Sequence, residues 1–137
     1  MKKSCFIGVL FLVITNCQSQ TIRDSNNMII GKIESTGTVR DKNNMMIGKV
    51  EPDGDVRDKN NMLVGKIETN GTIRDNNNII VGKVESNGTV RDRKNMIVGK
   101  VRSDGKVVDH NNMTIGYAKG IPISQAAVFF FFDMFER

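Results

Sequence analysis

Residues 38–54 read TVRDKNNMMIGKVEPDG, and this 17-residue stretch is one copy of a repeating unit. Laid on that period, the copies start at Thr21, Thr38, Asp55, Thr72, Thr89 and Lys106. Five copies are complete, and the sixth departs from the pattern after Gly116. The unit speaks to architecture before it speaks to chemistry.

Within the second copy, Thr38-Val39-Arg40-Asp41 reads as a short strand and Lys42-Asn43-Asn44 as a turn. Residues 45–51 read as a longer strand, and Pro52-Asp53-Gly54 as a second turn. Apolar periodicity over so few residues does not separate strand from helix. The punctuation does. Glycine and asparagine recurring at this interval leave no room for a helix, and β-branched Val and Ile dominate between them.

Pro52-Asp53-Gly54 suits a three-residue hairpin loop, a type I turn followed by a left-handed residue that forms a bulge. Pro52 brings the φ that the first turn position needs. Gly54 takes positive φ without a Cβ penalty. The same loop recurs as Ser35-Thr36-Gly37, Thr69-Asn70-Gly71, Ser86-Asn87-Gly88 and Ser103-Asp104-Gly105. Asn44 is expected to take the left-handed position of the other turn, which asparagine tolerates better than other residues with a side chain.

These loops predict a register. Across the Gly turn, Val50 should lie opposite Val56 and Ile67 opposite Ile73. Across the Asn turn, Val39 should lie opposite Ile47. A conflict follows, because Ile47 and Val50 are three residues apart and regular pleating would send them to opposite faces. Gly48 stands between them, and glycine holds that site in every copy: Gly31, Gly48, Gly65, Gly82, Gly99 and Gly116. Glycine inside a strand often marks a bulge or a sharp bend. A bend lets the strand pair with one neighbour before it and another after it. The hairpins are therefore expected to splay around an axis, with residues 21–24 and 113–117 pairing to protect the edges.

The repeated GTVRD-x-NN-x-x-x-GKVE unit at constant spacing, with an apolar tail after the last copy, resembles the bacterial five-fold β-flower family. The resemblance spans essentially the whole chain after its leader. It implies an all-β fold, a radial array of β-hairpins like petals, with one C-terminal apolar α-helix packed on it. It carries no catalytic or binding residues with it. A parallel β-solenoid with one 17-residue coil per copy is the structural alternative.

The two ends of the chain depart from the repeat. Residues 1–19 have a basic start at Lys2 and Lys3 and an apolar core over residues 5–14. This is the pattern of a secretory signal peptide. The alternative is a lipoprotein leader ending at residue 16, with Cys17 lipidated as an anchor. Both cysteines, Cys5 and Cys17, lie in this leader, so no disulfide is expected in the repeat domain of residues 20–120. Residues 121–137 read as a helix of about three turns with Ser124 as N-cap. It carries Phe129, Phe130, Phe131, Phe132 and Phe135, is apolar nearly all round and should be buried on most sides. It is too short to cross a bilayer.

Without Lys2 and Lys3, 18 basic residues face 15 acidic ones. Their signs alternate along each repeat, which reads as a solvated surface and not as a nucleic-acid stripe. Asp24, Asp41, Asp58, Asp75, Asp92 and Asp109 each open a D-x-N-N-like loop. The glycine and distal glutamate of a calcium loop are missing, so these aspartates are read as turn caps. No metal set is expected, and His110, the single histidine, has no co-ligand of its kind. No cofactor motif and no nucleophile–base pair is present, so a non-enzyme is expected.

Arg23, Arg40, Arg57, Arg74 and Arg91 become a ring in a radial fold, as do Lys32, Lys49, Lys66, Lys83 and Lys100. The arginines are candidate ligands for a small anion or a glycan. The plainer reading pairs them with Glu34, Glu51, Glu68 and Glu85. Met28, Met45, Met62, Met96 and Met113 are read as core filler, with an exposed rim for a partner as the alternative. The expected function is a secreted, periplasmic or envelope-associated structural or interaction module of a bacterium, with a protein or envelope partner. The alternative is an anion- or glycan-binding module, although the repeats lack the aromatic platforms on which sugars usually stack.

Overall fold

The structure, a computed structural model, describes residues 20–135. The segment expected to be a signal peptide or lipoprotein leader, with Cys17 as the expected anchor, lies outside the described residues.

The strands are β1 Gln20–Asp24, β2 Ile29–Ile33, β3 Thr38–Asp41, β4 Met46–Val50, β5 Asp55–Asp58 and β6 Leu63–Ile67. They continue as β7 Thr72–Asp75, β8 Ile80–Val84, β9 Thr89–Asp92, β10 Ile97–Val101, β11 Lys106–Asp109 and β12 Thr114–Tyr117. One helix, α1 Ile123–Phe131, follows. Each strand pairs antiparallel with its chain neighbours, and β1 pairs with β12, so the sheet is a closed twelve-stranded barrel. The closure rests on Arg23 opposite Tyr117 and Asp24 opposite Gly116, as expected. Antiparallel pairing throughout excludes the solenoid.

Local chemistry explains both kinds of turn. In the Asn turn the sixth-copy loop is typical. Asn112 has φ 67° and donates its N–H to the Asp109 carbonyl. All six equivalent asparagines sit at φ 67–68°. In the Gly turns, Gly37, Gly54, Gly71, Gly88 and Gly105 have φ 94–97°. Each donates its N–H to the carbonyl three residues back, as a type I turn requires. The Asn turns therefore all lie at one end of the barrel and the Gly turns at the other.

The expected pairs Val50 with Val56 and Ile67 with Ile73 are present. The expected pair Val39 with Ile47 is not. Val39 lies opposite Gly48 and Arg40 opposite Met46, so Ile47 is the extra residue of a β-bulge. The same two-against-one step leaves Ile30, Val64, Val81, Val98 and Ile115 unpaired. The bulge resolves the pleating conflict. Gly48 and Val50 alternate onto the inner face, and the extra residue restores the outer register beyond it.

The inner wall is lined by Ile22, Val39, Val56, Ile73, Val90 and Val107, all 0 % exposed. A ring of strand glycines lies opposite them in the ladder. A second apolar ring, Ile33, Val50, Ile67, Val84, Val101 and Ala118, lies toward the Gly turns. Twelve strands spaced about 4.8 Å apart close into a ring roughly 18 Å across before tilt. That bore is too wide for short aliphatic side chains to fill and admits a helix about 10 Å in diameter.

The tail fills it. α1 starts at Ile123, with Pro122 at the N-cap and no side-chain cap, so Ser124 lies in the first turn and does not cap. The Pro122 carbonyl accepts the Ala126 N–H, which starts the helix without the serine. Ala126, Ala127, Val128 and Phe129 are buried, as the all-round apolar pattern predicts. After Phe132 the chain turns at Asp133, whose φ is 49°, and runs on through Met134 and Phe135.

Six tail side chains meet six strand glycines, one each. Phe129 packs on Gly31, Phe130 on Gly116, Phe131 on Gly99, Phe132 on Gly82, Met134 on Gly65 and Phe135 on Gly48. Taken in tail order, the partners step backwards around the barrel from β2 through β12, β10, β8 and β6 to β4. Exposed Asp133 is the one residue of this run without a glycine. The glycines thus permit a close approach by the tail as well as a backbone bulge. A Cβ at Gly65 would lie 2.6 Å from Met134 Sδ and 2.8 Å from the Arg74 carbonyl oxygen.

Candidate functional site

With the bore occupied, the outer wall and the two rims remain. The outer wall carries the charged rings. Across the Gly-turn hairpins, Lys32 lies opposite Arg40, Lys49 opposite Arg57, Lys66 opposite Arg74 and Lys83 opposite Arg91. Like charges facing each other in a ladder destabilise it. Carboxylates offset this. Arg40, Arg74 and Arg91 donate through Nε to Glu34, Glu68 and Glu85 at 3.0, 2.8 and 2.7 Å, and Arg57 lies 3.4 Å from Glu51. The Nη1 groups of Arg23, Arg40, Arg57, Arg74 and Arg91 each donate to the carbonyl of the left-handed asparagine four residues on, at 2.9–3.1 Å. Each candidate ligand arginine thereby braces its own Asn turn. In the fifth interval the pair is replaced as a unit: Arg102 stands at the Glu position and Val108 at the Arg position.

The six aspartates of the Asn turns are caps. Asp58 Oδ1 accepts the N–H groups of Asn60 and Met62 at 2.8 and 3.0 Å. Asp24, Asp41, Asp75, Asp92 and Asp109 repeat the arrangement. One oxygen of each carboxylate is turned into its own loop. His110 is an exposed loop residue.

At the Gly-turn end a cleft of about 490 Å³ opens beside Ile123, Ser124 and Gln125 and is lined by Glu51, Asp53, Glu68 and Glu85 among others. Carboxylate oxygens of Glu51, Asp53 and Asp55 lie within 4.8 Å of one another. Lys66 Nζ is 3.2 Å from Asp55, and Arg57 neutralises Glu51, so protein cations already answer this charge. Nearby, the backbone N–H of Lys106 holds the Asp104 carboxyl below its ordinary pKa.

The Asn-turn rim is different in kind. Met28, Met45, Met62, Met96 and Met113 are 62–64 % exposed, with Ile79 at 52 %. Beside them Ile29, Met46, Leu63, Ile80 and Ile97 are 40–50 % exposed. The reading of these methionines as core filler is corrected. They follow the Asn turn directly, three residues before the strand glycines on which the tail packs, and they stay exposed once the barrel has closed. The companion position was not singled out from the sequence. Its signal was there, in three consecutive apolar residues directly after five of the six Asn turns, where a strand with one buried face needs only alternate apolar positions.

A closed barrel built from six copies of one hairpin and corked by its own C-terminal segment is a hairpin-repeat protein with its surface organised in rings. Residues 19–134 match the family model of the 5-fold β-flower protein, and the chain belongs to that family. In this member six Asn-turn hairpins are joined by five Gly turns, and the remaining junction is where β12 leaves for α1 and β1 begins. No curated protein and no solved structure matches the chain. No helix among the described residues is long and apolar enough to cross a membrane.

Proposed function

We propose that this chain is a non-catalytic interaction module of the bacterial envelope, secreted or held there, and that the Asn-turn rim is its working face. One observation carries the reading. Every large hydrophobic side chain exposed among the described residues belongs to that rim. Scattered exposed hydrophobics need no explanation, but a contiguous set of this size marks an interaction site. Near-identical copies also give little of the asymmetry that a catalytic constellation needs.

The test is site-specific photo-crosslinking in the native envelope. A crosslinker at Met62 should capture its surroundings efficiently, and one at Asn70 in a Gly turn should not. Equal capture from both positions would remove the rim from consideration.

The paired Lys and Arg bands of the outer wall favour a second reading, a small-anion or glycan module built on Arg23, Arg40, Arg57, Arg74 and Arg91. For this the guanidiniums must add a ligand to the bonds they already make. Calorimetric titration with sulfate and with acidic oligosaccharides separates the two. Saturable binding that is lost in Arg74→Gln supports the ring, and its absence leaves the rim.

A further inference from the structure

We propose that the Asn-turn rim docks onto the surface of an anionic lipid bilayer. This rests on the rim being the interaction face and names its partner. The apolar part is a nearly complete annulus: two exposed side chains follow each of five Asn turns, and Met113 with Thr114 follows the sixth. Adjacent hairpins repeat every two strands, about 10 Å apart around the ring. The partner must therefore offer the same apolar environment in every direction about the barrel axis. A bilayer surface does this. An asymmetric protein surface would be met by equivalent side chains with no way to choose an orientation.

Charge points the same way. The loop tips between each capping aspartate and the apolar pair carry Lys42, Lys59, Arg93 and Lys94, and no carboxylate. Below them the five arginines are matched by the six capping aspartates and, for four of the five, by Glu34, Glu51, Glu68 and Glu85, so the positive charge that leads at this end is that of the loop tips. Apolar side chains ringed by Lys and Arg are the combination that lies in the headgroup region of anionic membranes. Methionine adds a flexible, polarizable side chain suited to a fluid partner.

A second copy fits less well. Rim against rim would set like-charged loop tips against each other. Rim against the opposite end would lay apolar side chains on Ser35, Thr36, Asp53, Thr69, Asn70, Ser86 and Asn87, all exposed and polar. That opposite end is also where β1 begins at Gln20 and where α1 enters, so neither obstructs the rim.

The experiment is vesicle co-sedimentation of the full chain and of variants carrying the same leader. Vesicles are phosphatidylcholine alone, or phosphatidylcholine with phosphatidylglycerol as about a third of the lipid. Met45→Gln/Met62→Gln/Met96→Gln should weaken partitioning onto the anionic vesicles at least ~10-fold, because three apolar side chains leave the headgroup region. Lys42→Glu/Arg93→Glu/Lys94→Glu should abolish the preference for anionic over neutral vesicles. Both variants should melt with the parent, since the altered side chains are exposed, and Met45→Leu/Met62→Leu/Met96→Leu should bind as the parent does. Parent-like partitioning by the Gln and Glu variants would overturn the proposal, as the leader or another surface would then be responsible. If the parent ignores both vesicles while Met62 still crosslinks to a protein, the bilayer is wrong and the rim stands. If neither vesicle nor crosslink responds to the rim, both readings fall.

Discussion

The ring of Phe130 occupies the space that a side chain at Gly116 would fill: a Cβ there would lie 2.6 Å from Phe130 Cζ and equally close to the Arg23 carbonyl oxygen. Five more such pairs complete the circle. The repeat supplies a wall with one side chain missing per copy, and the tail supplies the missing volume from within. Full burial of one large apolar side chain contributes roughly 1.5–3 kcal/mol; Phe129 and Phe135 are buried and the other four partly so, and together the plug is comparable with the net stability of a small domain.

The pair should therefore be coupled. Phe130→Ala is expected to cost about 3–5 kcal/mol by leaving a cavity, and Gly116→Ala a further few by expelling the ring and crowding the carbonyl. In the double variant the new methyl enters space that the ring has vacated. Its loss, measured by denaturant unfolding, should fall short of the sum by at least ~1 kcal/mol. Additivity would show that ring and glycine do not meet.

Truncation after Gly120 removes all six plug side chains together with the buried Ala126, Ala127 and Val128. The wall alone cannot fill its bore. The shortened chain should aggregate or lose its cooperative melting transition in calorimetry. A soluble product with the parent's transition would mean that the barrel stands without its tail.

Each Asn turn should be a separable contribution to stability. Asp58→Ala leaves the N–H groups of Asn60 and Met62 without the carboxylate, which is expected to cost about 1–2 kcal/mol. Asn61→Gly, at φ 67°, should be nearly neutral, because glycine accepts that conformation freely. Thermal denaturation of the two variants checks the contrast, and equal losses would contradict it.

The seam between β1 and β12 joins the first and last strands, and its ladder pairs only Arg23 with Tyr117 and Asp24 with Gly116. No loop ties these strands. Amide deuterium exchange should find the seam protected, but less so than the loop-tied pair β6 and β7. Free exchange at both β1 and β12 would mean that the ring is open, and protection equal to the centre would mean that it is uniformly closed.

Much of this protein was settled within single copies of residues 38–54. The strand–turn–strand order, both turn types, the left-handed Asn44 and Gly54 and the capping by Asp41 all depend on groups within about five residues of one another, so the local residues suffice. The pairing of Val50 with Val56 follows from a three-residue loop in the same way. The Arg–Glu pairs were legible too, since Glu34 and Arg40 are six residues apart across one Gly turn. The placement of the bulge was not. Whether Ile47 or Gly48 faces Val39 depends on which choice keeps both neighbouring ladders in register. Tertiary structure alone decided what the strand glycines are for, because Phe135 reaches Gly48 only when the ring has closed around the tail. It likewise decided the fate of Met45 and its equivalents. An apolar side chain just before β4 is core or surface according to whether anything packs on it once the ring has closed, and the tail packs on Gly48 while Met45 stays 63 % exposed.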